Sequence, residues 1–156
     1  MVTCHLRISF QQLIHVRYLC PMIKFFFSLN QWMRFLISLA YLSLVVYFEL
    51  MPASFVPEFR FPGTDKVIHA CMYFGLTFLV CWTFHAEKNH YRVFLIVLIA
   101  VTWGILMEIV QFEMKYGRSF EWIDILSNSL GALMSAMLFY LFSKELRKSQ
   151  RLKAKG

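Results

Sequence analysis

Four apolar runs, each about as long as a helix must be to cross a bilayer, constrain this 156-residue chain more than any other feature. A hydrocarbon core of about 30 Å needs roughly 20 apolar residues per helical span. The stretches RFLISLAYLSLVVYFELM, VIHACMYFGLTFLVCWTF, VFLIVLIAVTWGILMEIVQF and IDILSNSLGALMSAMLFYLF meet that requirement and predict helices over about 33–51, 65–84, 92–113 and 122–143. Lipid offers no partner to backbone N–H and C=O groups, so runs of this length and composition must satisfy them internally as helices. The expected fold is all-α, a four-helix transmembrane bundle. With 59% hydrophobic and 16% charged residues, a water-soluble domain of this size is excluded.

Outside the runs the chain divides simply. Residues 1–31 form a leader of scattered basic and amide side chains around Pro21, too polar to span, in which Met22 is a second candidate start. No small-x-small cleavage site follows the first run, so helix one is expected to stay in place. Residues 32–143 are the membrane domain and 144–156 a basic tail. Pro52 ends helix one, and Pro57, Pro62 and Gly63 complete a stiff connector. Thr64 or Asp65 is placed to cap helix two, and Glu49, in the last turn of helix one, is expected to be a solvated carboxylate at the interface. Cys4, Cys20, Cys71 and Cys81 lack the spacing of a zinc site or a disulfide pair, and those inside apolar segments read as small hydrophobes.

The net charge of +7 suits nucleic acid in a soluble protein, but here the basic residues lie between apolar blocks and read as topology signals. Twelve of the sixteen, Arg34 and Arg92 among them, fall in the leader, the second loop and the tail. Only Arg60, Lys66, Lys115 and Arg118 fall in the first and third loops. The positive-inside bias therefore puts both termini and the second loop in the cytoplasm, with the first and third loops outside.

That topology gathers the polar residues of the helices at the outer end. Asp65, Lys66 and His69 begin helix two, Glu108 and Gln111 end helix three, and Arg118, Asp124 and Asn128 flank and begin helix four. Asp65 and His69, Glu108 and Gln111, and Asp124 and Asn128 are spaced three or four apart, so each pair shares a helix face. Three such faces can converge on one pocket, and ionisable groups at membrane depth are costly unless paired or facing a cavity. Mutual neutralisation of interfacial charges, Glu108 with Arg118 or Asp65 with Lys66, is the structural alternative. Ser127, Gly131 and Ser135 give helix four a small-residue seam, with Asn128, Ala132 and Ala136 beside it; Gly104 and Gly75 are its expected facing positions. The cytoplasmic halves of helices two to four carry almost no polar residues, which disfavours a transport path.

The runs DKVIHACMYFGLTFL, GILMEIVQF and GRSFEWIDILSNSLGA, with Asp65, Lys66, His69, Glu108, Gln111, Arg118, Asp124, Asn128 and Gly131 in that order, resemble the VanZ-like family of bacterial membrane proteins. The likeness covers about residues 33–142 and leaves the leader and the proline-rich first loop outside. It implies a protein of the bacterial cytoplasmic (inner) membrane and cell envelope, in a family named for an association with resistance to the glycopeptide antibiotic teicoplanin. The expected function is binding of a cell-wall precursor, lipid head group or glycopeptide through the outer polar cluster. Asp65, Glu108 and Asp124 would accept hydrogen bonds, and Arg118 would hold a phosphate or carboxylate. The alternative is an enzyme on a lipid-linked or cell-wall substrate, with Glu108 or His69 as general base. No nucleophile motif or phosphate loop accompanies it. No cofactor or metal is identified by spacing; a divalent ion on Asp65, His69, Glu108 and Asp124 is a variant resting on ligand type alone.

The topology is tested by reporter fusions. A fusion in the 116–120 loop is expected to report an extracytoplasmic position, and a cytoplasmic signal there would separate the polar cluster from the outer face.

Overall fold

A computed structural model describes residues 28–55, 63–86, 89–115 and 119–153. The four predicted helices are present as α1 (Gln31–Glu49), α2 (Thr64–Thr83), α3 (His90–Glu113) and α4 (Trp122–Lys153), with a short 3-10 turn at Ala53–Phe55 after α1. All four are long and apolar enough to cross a membrane. The fold is an all-α four-helix bundle without strands among the described residues. The first part of the leader, most of the proline connector and Arg118 lie outside the described residues.

Local chemistry explains most helix ends. Asn30 and Asn89 cap α1 and α3 by accepting from Trp32 N at 3.4 Å and Tyr91 N at 2.9 Å. At α2 the expected side-chain cap is corrected. Gly63 holds the capping position at φ 84°, in the left-handed region that glycine enters at least cost, with no side-chain cap bond. Thr64 and Asp65 lie inside the first turn instead, where the Asp65 charge still complements the helix dipole. The α4 helix runs past the predicted end at 143 to Lys153, because KELRKSQRLK contains strong helix formers and no Gly or Pro.

The central helix is α2, which packs most extensively on α4 and also meets α1 and α3; α1 barely touches α3. Two glycines set this arrangement. A Cβ at Gly131 would collide with the Ala70 carbonyl, so α4 and α2 cross in backbone contact there. At Gly104 a Cβ would press on Asn128 and Tyr73 at 3.3 Å, so α3 seats against both α4 and α2. The expected partner of Gly75 is corrected: it faces the Tyr41 side chain on α1, not α4. Ser127 is half-buried and donates to Ile123 O at 2.8 Å, whereas Gly131, Ala132 and Ser135 are buried.

Away from the polar end, Cys81, Trp82, Ala86, Ile96 and Phe139 form a buried apolar cluster, with Phe78 edge-on to Phe139 at 5.7 Å. Exposed Leu, Ile, Phe and Met side chains cover the outside, as a lipid-facing surface requires. Trp32 and Tyr91 at one end and Trp122 at the other are exposed amphipathic rings suited to the two interfaces.

A second polar group at the end where α1 begins corrects the expectation that polar residues collect at one end only. Arg34, read from sequence as a topology signal, is 4% exposed. Its guanidinium donates to Leu29 O at 3.0 Å, reaches Trp82 O and both His85 ring nitrogens at 3.1–3.5 Å, and lies 5.3 Å from the Trp82 ring centre. Beside it Ser38 and Thr83 share a 2.7 Å hydrogen bond, and Thr83 donates back to Arg34 O at 3.2 Å. These contacts pin α1 to the end of α2. Thr77 and Ser135, both fully buried, add hydroxyls to the middle of the bundle.

Replacing Gly131 by Ala is expected to destabilise the bundle by about 1–3 kcal/mol, because the obstacle is backbone. Gly75→Ala is expected to cost less, since the Tyr41 side chain can swing aside. Thermal melts of the purified protein in detergent compare the two, and equal losses would contradict the α2–α4 crossing.

Candidate functional site

The close α2–α4 crossing brings the starts of both helices together, and α3 ends and α1 ends beside them. Lys66, in the first turn of α2, lies among three carboxylates. Its ammonium is 2.9 Å from Asp65 Oδ2 and 2.5 Å from Asp124 Oδ1, and it also pairs with Glu121. Asp65 and Glu121 are about half exposed, at 47% and 46%, while the Asp124 side chain is 11% exposed, so the group is open on one side and closed beneath.

Under this rim the polar residues are buried and engaged. One turn below Lys66, His69 Nδ1 meets Asn128 Oδ1 at 3.2 Å, joining α2 to α4. Glu108 on α3 is 1% exposed and accepts the backbone N–H of Glu121 at 2.7 Å, which ties the end of α3 to the segment leading into α4. Gln111 is buried one turn further along α3. Deeper still, the Tyr73 hydroxyl is beside the Glu49 carboxylate and within electrostatic reach of Glu108. Each level is one helical turn below the last on α2, the spacing of Lys66, His69 and Tyr73 down a single face.

Seven of the eight residues expected at the site are therefore at one end of the bundle: Asp65, Lys66, His69, Glu108, Gln111, Asp124 and Asn128. Arg118 lies outside the described residues. Three further members were missed. Glu121 precedes Asp124 by three residues, a spacing that carried the signal. Tyr73 continues the face of His69, but reads as an ordinary aromatic in an apolar run. Glu49 corrects the expectation of a solvated carboxylate: it is 1% exposed, because the end of α1 packs inward against α2.

The carboxylate oxygens of Asp65, Glu121 and Asp124 come within 4.8 Å of one another, close enough to share a cation, and the Lys66 ammonium sits among them. The ion variant built on His69 and Glu108 does not match this grouping, since those two are engaged with Asn128 and with the Glu121 backbone. One ammonium among three carboxylates leaves this rim formally acidic, which favours ligands bearing ammonium, amide or hydroxyl donors.

The VanZ/LLP1 family model matches residues 12–143, which takes in all four spans and every residue of this polar node. This chain belongs to the VanZ/LLP1 family. The match begins at residue 12 and runs through to 143, so most of the leader and the proline-rich first loop fall within the family's extent, a correction to the narrower likeness read from sequence. An uncharacterized protein of the fission yeast Schizosaccharomyces pombe is 28% identical over 130 residues, covering 82% of this chain and 80% of that protein. No solved structure matches the chain. Family membership and the four spans make this a VanZ-like multi-pass membrane protein.

Lys66→Met would leave the Asp65, Glu121 and Asp124 charges facing one another without their cation. A destabilisation of about 2 kcal/mol is expected, below the roughly 3–5 of a fully buried pair because water reaches the rim. Adding Asp124→Asn should restore part of the loss. A double-mutant cycle on melting temperature measures this, and simple additivity would show that Lys66 and Asp124 do not act as a pair.

Proposed function

We propose that this VanZ/LLP1 protein binds an envelope component through the polar node, with the node facing outward and both termini in the cytoplasm. The observation that carries the reading is the arrangement of charge around Lys66: two half-exposed carboxylates, Asp65 and Glu121, above a buried floor of Asp124, His69 and Asn128. Intramembrane ionisable groups are expensive to keep, and a half-open acidic rim is a place where a head group can dock without the helices rearranging. Ammonium and hydroxyl groups are the donors such a rim accepts.

The association with teicoplanin comes from the family resemblance and assigns no residue here. Catalysis is the weaker reading, because both candidate bases already hold structural bonds, Glu108 to the Glu121 N–H and His69 to Asn128.

The rim residues make the better test, since their side chains are exposed enough to be changed without opening the core. Cells expressing the wild type are expected to shift in susceptibility across a panel of envelope-directed antibiotics that includes teicoplanin. Asp65→Asn and Glu121→Gln should lose that shift at membrane levels equal to wild type by quantitative blot. Retention of the shift in both variants, or losses that track abundance alone, would make the node a packing device.

A further inference from the structure

Because α1 meets α2 but hardly touches α3, a groove of about 580 Å³ remains between α1 and α3, with α2 as its floor. Leu42 on α1, Val80 on α2 and Ile99 on α3 represent its nearly continuous apolar lining, and its volume is in the range of small-molecule sites. It belongs to a different part of the bundle from the polar node, since none of the node's residues lines it.

Two features say what fits it. Arg92 lines one end, two residues into α3, and Trp103 lines the other. Eleven residues of helix separate them, about 16 Å at 1.5 Å per residue, or close to half of a hydrocarbon core of about 30 Å. The groove therefore runs from the interface to roughly the midplane, the depth of one leaflet. Arg92 is exposed and spends one guanidinium nitrogen on Phe84 O at 3.1 Å, leaving other donors of the fork to face an acid.

We propose that this groove holds one acyl chain of an anionic phospholipid, with its phosphate on Arg92. A basic side chain at the mouth of a cleft between membrane helices is the arrangement that recognises an anionic head group, and the apolar walls take the chain that comes with it. Ordinary solvation by lipid would fill the same space without regard to head group. Selectivity through Arg92 is therefore the distinguishing property.

Trp103 is a reporter built into the deep end. The full chain carrying Trp32→Phe and Trp122→Phe, which removes the two exposed indoles, would be reconstituted in phosphatidylcholine vesicles. Tryptophan quenching would be titrated with phosphatidylglycerol or phosphatidylcholine brominated at mid-chain. Phosphatidylglycerol is expected to reach half-quenching at a mole fraction about 5-fold lower, the scale of one basic residue acting on an anionic lipid. Arg92→Gln should bring the two curves together, Arg92→Lys should keep most of the separation, and Ala100→Phe, which fills the groove, should remove the strong quenching by both lipids. Equal quenching in the reporter protein, or a preference that survives Arg92→Gln, would overturn the proposal.

Discussion

Gly131 has no side chain, and the absence lets the α4 backbone rest on the Ala70 carbonyl of α2. In lipid, helices gain nothing from hiding apolar surface from water, so close backbone approach and polar contacts must hold the bundle together. This crossing supplies both. It places Asn128 beside His69 and Asp124 beside Lys66, each one turn or two from the glycine, so the polar contacts form where the helices are already nearest. Gly104 repeats the device for α3, which arrives against Asn128 and Tyr73 and carries Glu108 into the same end.

The two ends of the bundle solve the cost of membrane charge differently. Where α2 and α4 begin, Lys66 offsets several carboxylates and water reaches one side. Where α1 begins, Arg34 is buried against the Leu29 and Trp82 carbonyl oxygens, the His85 ring and the Trp82 indole. The first is acidic and half-open, suited to meeting another molecule; the second is a closed clamp between helices. Their difference is why the first alone is read as a binding site.

Much of this was legible in the residues. The i,i+4 spacing of Asp65 with His69 and of Asp124 with Asn128 identified the faces that meet, because helical period converts sequence distance directly into direction. The burial of Glu49, expected at the surface, and of Arg34 is hidden in the sequence for a common reason. A single charge near the end of an apolar run has the same local signature whether it turns toward water or inward, and only the neighbouring helix decides. Tyr73 was invisible for the opposite reason, since its hydroxyl matters only through the acids that other helices bring to it.

The sequence by itself determined that the chain is a membrane protein of four helices and which helix faces carry polarity, since hydropathy and period are local properties. Only the tertiary structure decided that α2 is central, that Lys66 is shared by Asp65, Glu121 and Asp124, and that α1 stands off α3 enough to leave a groove. Those facts depend on how closely pairs of helices approach, and approach is set by the joint shape of two surfaces that no single stretch of sequence contains.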